Sequence, residues 1–360
     1  MTSARTPLHR AVLRAPVGRA RLQWIALLHA AAILAAIVLS LAVAPAALAA
    51  PAPAAAPGER TAAADGASWS VGPADTPQGT GRPHFDYALA AGDRIEDAFA
   101  VRNDGAAPLT LRLYAADAFT TREGNIDLLP AGEQSVDAGT WIELETGELT
   151  LEPGEERIVP FVLAVPADAR PGDHPAGIVS SLLSADADAQ VQVDRRLGSR
   201  LFVRVAGELA PAVEVSEPTV SFTGTWNPLA LGRLEIAYTL SNTGDTRVTA
   251  VAASSAHGPF GVAPLTTGAQ QLPEVLPGST VEVRQSLDGV AALAWLGGAV
   301  NVIPTSVGVG AEQLDTVVSP FAVAAVPIAT LLILIAAAAV LVAVLLLVRR
   351  ARKRDRATDA

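Results

Sequence analysis

Leu234-Glu235-Ile236-Ala237-Tyr238-Thr239-Leu240-Ser241-Asn242-Thr243-Gly244 decides the fold class. Leu234, Ile236, Tyr238 and Leu240 fall on one face, while Glu235, Ala237 and Thr239 fall on the other. A period of two marks a strand with one buried face, and the Asn-x-Gly that follows marks a tight connection. The glycine and asparagine are expected to supply positive φ there. Outward from this segment the pattern repeats. Leu109, Leu111 and Leu113 alternate with Thr110, Arg112 and Tyr114, and Val159, Phe161, Leu163 and Val165 share a face. Leu201, Val203 and Val205 oppose Arg200, Phe202 and Arg204. No amphipathic helix interrupts residues 69–319. The reading is all-β, built of immunoglobulin-like β-sandwiches.

An internal echo makes it two sandwiches. Val101-Arg102-Asn103-Asp104-Gly105 matches Leu240 to Gly244, and Leu151-Glu152-Pro153-Gly154-Glu155 matches Val275-Leu276-Pro277-Gly278-Ser279. In both copies the Pro-Gly turn leads into an alternating strand. The first copy is longer between these elements and contains an insertion, Thr121 to Gly139, expected to be functional or family-specific. The first domain is placed at 68–207 and the second at 208–318.

The ends carry a topology. Residues 1–21 hold five arginines and no acid, an uncharged apolar run follows from Trp24 to Ala44, and Ala47-Leu48-Ala49 has the small-x-small cleavage form. Residues 1–49 therefore read as a signal peptide. Residues 50–67, mostly Ala and Pro, read as a linker with little to bury. Phe321 to Val348 holds no charged residue and reads as a transmembrane helix at 321–348. Residues 349–360 form a basic cytoplasmic tail with Arg349, Arg350, Arg352, Lys353, Arg354 and Arg356. By the positive-inside rule this is a single-pass type I protein at the cell membrane, its ectodomain extracellular. The tail reads as a stop-transfer element and anionic-lipid contact.

Composition narrows the chemistry. The 360 residues contain no cysteine, which excludes disulfides, thiolate metal sites and a thiol nucleophile. Residues 50–320 hold 15 arginines and 34 acidic residues, a formal charge of −19. A surface of that sign does not bind nucleic acid through bulk electrostatics. His84, His174 and His257 are scattered without metal-ligand spacing, and no serine sits in a Gly-x-Ser-x-Gly elbow. Asp186-Ala187-Asp188 reads as a polar hairpin rather than a calcium loop. No catalytic, cofactor-binding or metal-binding residue is expected, and the chain does not read as an enzyme. Trp141 and Trp295 sit in core-like contexts, whereas Trp226, in Gly224-Thr225-Trp226-Asn227-Pro228, reads as an exposed aromatic on a turn. The Pro-, Gly- and Asp-rich stretch Pro166 to Gly177 reads as a ligand-facing loop bearing Arg170, Asp173 and His174.

The first domain resembles the peptidoglycan-binding domain of the WxL-interacting protein family. The matching stretches, in order, are Tyr87 to Asp93, Val101 to Gly105, Ala116-Asp117-Ala118-Phe119-Thr120 with Gly124-Asn125-Ile126, and Val165-Pro166 through Arg170-Pro171-Gly172-Asp173-His174-Pro175-Ala176-Gly177-Ile178. The resemblance implies a non-catalytic surface protein binding peptidoglycan, a surface partner bearing WxL motifs, or both. It carries over no ligand residues. Rival readings are a structural spacer, and an extracellular subunit of a secretion or signalling complex.

Overall fold

The computed structural model describes residues 67–183, 194–308 and 310–358. The expected signal peptide, most of the expected linker and the expected Asp186-Ala187-Asp188 hairpin lie outside the described residues. The first sandwich comprises β1 (Trp69–Pro73), β2 (Phe85–Leu89), β3 (Arg94–Asn103), β4 (Leu109–Thr120), β5 (Ile126–Leu128), β6 (Ile142–Leu144), β7 (Glu148–Leu151), β8 (Glu156–Ala164), β9 (Gly172–Leu183) and β10 (Asp194–Val205). The second comprises β11 (Val213–Val215), β12 (Thr219–Thr223), β13 (Gly232–Asn242), β14 (Val248–His257), β15 (Leu265–Thr266), β16 (Gln270–Gln271), β17 (Thr280–Val290), β18 (Ala294–Ser306) and β19 (Val317–Ala325). One helix, α1 (Ile328–Thr358), follows.

In the first sandwich a sheet in the order β1-β3-β8-β6 faces a sheet in the order β2-β10-β9-β4. The outer edge of β4 is shared by β7 at Leu109–Arg112 and by β5 at Ala118–Thr120. Among the described residues only β2 and β10 pair in parallel. The alternating residues close the core as their period requires: Leu111, Phe161, Leu163, Leu201 and Val203 are buried together with Phe85 and Phe99. In the second sandwich β13 pairs with β17 on one side and with β11 and β12 on the other, facing a sheet in which β18 runs between β14 and β19. Leu234, Ile236, Tyr238 and Leu240 all point into its core, as the opening segment predicts.

The internal echo is a repeated hydrogen-bond bracket. Asn103 is buried and donates through Nδ2 to the carbonyls of Ala107 and Leu151, while its Oδ1 accepts the Gly105 N–H. Asn242 makes the same three bonds with Thr246, Val275 and Gly244. Each bracket closes on the Pro-Gly turn, where Gly154 and Gly278 take φ of 76° and 73°, a region glycine enters without steric penalty. The positive φ expected at the Asn-x-Gly segments is therefore found at the Pro-Gly turns instead. The asparagines act through their side chains.

The apolar stretch near the C-terminus divides differently from its expected 321–348 span. Its first residues belong to β19, paired with β18 from Ala294↔Ala325 to Val302↔Val317. Phe321 and Val323 pack against the second core, so that domain runs to Ala325 rather than 318. A run without charges satisfies a buried strand edge and a membrane helix equally, and composition cannot divide them. Pro327 does: it has no N–H to give a ladder, and its carbonyl accepts the Leu331 N–H to open α1. Among the described residues one helix is long and apolar enough to cross a membrane, Ile328–Arg352, whose most apolar 18-residue stretch has a mean hydropathy of 3.4. Its uncharged part, Ile328 to Val348, extends roughly 32 Å at 1.5 Å per residue, matching a hydrocarbon core.

Candidate functional site

The stretch expected to face a ligand ends earlier than the sequence suggests. The connection after β8 stops at Pro171, and Asp173 and His174 are the opening residues of β9. Both are buried, and the structure brings them together at the junction of the two sandwiches. This corrects their placement on an open loop: Arg204 and the start of the second sandwich cover Asp173, while Asp137 and Trp141 of the first sandwich cover His174. Arg170 remains exposed at the rim.

Asp173 stands opposite Arg204 in the β9–β10 register. Their side chains form a two-pronged pair, Arg204 Nε to Oδ1 and Nη2 to Oδ2, both 2.7 Å. The Asp173 side chain is 1 % exposed. This partner pushes the Arg204 guanidinium further up from its already high pKa. The same carboxylate accepts the Arg247 N–H at 2.7 Å across the junction, and Arg204 donates to the Val307 carbonyl. Arg247 is itself buried: it lies over the Phe202 ring at 4.0 Å and donates to Glu274 at 3.3 Å. Gly172 permits the approach, because a Cβ there would stand 2.6 Å from the Asp245 carbonyl that accepts the Asp173 N–H. One buried carboxylate thus joins β9, β10 and the start of β14.

His174 is spent on the first sandwich. Its Nδ1 lies 2.7 Å from Asp137 Oδ1, and its Nε2 lies 2.8 Å from the Arg170 carbonyl. A carboxylate and a carbonyl accept, so the protonated ring can satisfy both partners at once. Burial alone would lower its pKa. The Asp137 and Arg170 hydrogen bonds outweigh burial and raise it. The ring packs on Trp141 with centroids 4.7 Å apart.

The expected insertion supplies this arrangement. Asp117 on β4 accepts the N–H groups of Val136, Asp137 and Gly139 at 2.6 to 2.9 Å, which sets Asp137 against His174. Thr120 at the end of β4 and Arg122 in the insertion also brace the second sandwich. The Thr120 N–H donates to Ser279 Oγ, the Leu276 N–H donates to Thr120 Oγ1, and Arg122 pairs with Glu282 at 3.2 Å. Asp117, Asp137, Arg204 and Arg247 escape sequence reasoning. Arg204 sits at a strand position that alternation assigns to solvent, and only the second sandwich covers it. The one signal was Asp117, inside a stretch that carries the family resemblance.

Between these elements lies a cleft of about 730 Å³, lined by Asp117, Asp137, Arg170 and Glu208 on one side and by Thr243 and Asp245 on the other. Its charged lining is five carboxylates, with Arg170 and His174 beside them. Among the described residues no group of three or more His, Asp or Glu is placed to hold a metal ion. Trp226 lies elsewhere, 80 % exposed on the β12–β13 connection. Trp141 is half-buried as a core residue, but Trp295 is 45 % exposed, because it occupies an outward position at the start of β18.

No family model matches the chain, and no curated protein matches it. Solved structures to which it is similar include the class 5 fimbriae chaperone CfaA, at 8 % identity over 70 % of this chain and 98 % of that one, TM-score 0.32. Others are the Salmonella enterica SafA pilin–SafB chaperone complex (12 %, 71 % and 96 %, TM-score 0.31) and the Acinetobacter baumannii CsuC–CsuE pre-assembly complex (14 %, 60 % and 89 %, TM-score 0.30). At these scores the likeness says nothing about what the chain does.

Proposed function

We propose that the chain is a non-catalytic cell-surface protein, held by α1 as a single-pass type I anchor, that presents two rigidly joined sandwiches to the cell wall. The observation that carries this reading is the junction itself. Asp173, Arg204, Arg247 and the Thr120 bracket lock the sandwiches to one another, and β19 runs into an apolar helix after two residues. Such a body transmits position rather than chemistry. The groups that would serve as acid, base or ligand, Asp173 and His174, are consumed in holding it together. Within this reading the first sandwich binds peptidoglycan, as its resemblance to the WxL-interacting protein family implies, and a surface protein of WxL type is a second candidate partner. The exposed guanidinium of Arg170 at the cleft rim is the group left to meet an outside ligand.

The test is cosedimentation of the detergent-solubilised full chain with purified peptidoglycan sacculi at physiological salt. Retention that falls severalfold in Arg170→Ala, with an unchanged melting curve, supports wall binding at the cleft rim. Failure to sediment overturns the peptidoglycan assignment and favours the spacer reading, which the rigid junction also suits.

A further inference from the structure

The end of the second sandwich nearest α1 differs from the rest of the ectodomain. Strand register places three connections there. Thr223 pairs with Arg233, Gly232 with Val290, His257 with Gly297, and Ala294 with Ala325. The β12–β13 connection (224–231), the β14–β15 connection (258–264) and the β17–β18 connection (291–293) therefore converge where β19 gives way to α1. None contains a charged residue, in an ectodomain with a formal charge of −19. The other end of the same sandwich carries Asp245, Arg247, Glu274 and Glu312.

These connections turn large apolar side chains outward. Trp226 is 80 % exposed, Leu229 90 % and Phe260 fully so, with Leu231 and Val262 more than half exposed. Phe260 also takes a φ of 58°, a left-handed conformation costly for a bulky residue, without burying its ring against the protein. The β12–β13 connection is braced: Asn227 Oδ1 accepts the Leu229 N–H, and the Asn227 carbonyl accepts the Ala230 N–H. Trp226, Leu229 and Leu231 share a cleft of about 490 Å³ with Val326 and Ile328, the first residues of the helix junction.

We propose that this end of the second sandwich is a membrane-docking surface, with Trp226, Leu229 and Phe260 seated in the interfacial region of the leaflet from which α1 enters. The inference rests on the reading that α1 crosses the membrane. Only Val326 and Pro327 separate the last strand from the helix, so a bilayer crossed by α1 begins where these side chains are exposed. Tryptophan is favoured at the headgroup boundary, where its ring is apolar and its N–H stays hydrated. Charge-free connections bearing Trp, Leu and Phe suit that layer, and the exposed charges nearest them, Arg233 and Asp288, are paired with each other at 2.6 Å. Docking of this kind would hold the rigid pair of sandwiches at a set tilt to the membrane.

The cysteine-free chain permits single labels. Leu229→Cys, Phe260→Cys, Val340→Cys within α1 and Val136→Cys on the first sandwich are each introduced in the full chain and modified with a nitroxide. The chain is reconstituted in phosphatidylcholine–phosphatidylglycerol vesicles, and collision of the label with oxygen is compared with collision with a water-soluble nickel chelate. The expected result is a hydrocarbon-like ratio at 340, an aqueous ratio at 136, and ratios at 229 and 260 severalfold above that at 136. A hydrocarbon-like ratio at 340 with aqueous ratios at 229 and 260 overturns docking and leaves the span intact. An aqueous ratio at 340 overturns the span and docking with it. Shielding at 229 and 260 that vanishes as the chain is diluted in lipid identifies a second copy as the occupant and also overturns the proposal.

Discussion

At the residue scale, two buried ionisable groups make opposite predictions about pH. His174 has a folded-state pKa raised above its unfolded value near 6.5. Its contribution is complete below that unfolded value and is lost as pH rises through the folded one. Thermal midpoints should therefore fall as pH is raised across this window, and His174→Gln should flatten the dependence. Asp97 behaves in reverse. Burial raises its pKa, but hydrogen bonds from Arg82, Tyr87 and Thr76 outweigh burial and hold it below the usual carboxylate range. Its contribution is present above the unfolded value and is lost as pH falls through the folded one. Asp97→Asn should weaken acid-induced loss of the first sandwich, followed by circular dichroism. Asp173 is the costliest single change. Asp173→Asn removes the buried charge that Arg204 grips with two hydrogen bonds, and denaturant unfolding should show a loss of about 3–5 kcal/mol. None of these environments is written in the neighbouring residues. Asp137 lies 37 positions from His174 and Arg247 lies 74 from Asp173.

At the element scale, β19 decides where the second domain ends. A chain stopped at residue 318 loses the strand that pairs with β18 from Ala294 to Val302, and exposes core residues that Phe321 and Val323 cover. Hydrogen exchange along β18 should accelerate by orders of magnitude in that chain, and it should remain slow in one stopped at 327. Equal protection in the two would show that β19 is dispensable. The strands themselves were readable from alternation, because a pleated chain with one buried face must alternate whatever lies beyond it. The boundary between β19 and α1 was not readable, because the same uncharged composition serves both environments.

At the scale of the whole molecule, the two sandwiches should unfold together. Coupling flows through Arg247, which stacks on Phe202 of the first sandwich and pairs with Glu274 of the second. Calorimetry of the full chain should give one transition for the strands, and Arg247→Ala should divide it into two. Two transitions in the unaltered chain would show that the junction is a loose contact. The repeated Asn bracket explains why two such bodies share a plan: Asn103 and Asn242 satisfy equivalent buried carbonyls in each.

Alternation, turn residues and uncharged runs by themselves determined that this chain is a pair of all-β sandwiches preceding an apolar helix, since each signal reports on burial of a side chain by its own strand or helix. The partners of Asp173, His174 and Arg247, the closed state of the expected ligand loop, and the convergence of three charge-free connections beside α1 were decided only by the tertiary structure. Those features depend on contacts between segments tens to more than a hundred residues apart, and local periodicity carries no record of them.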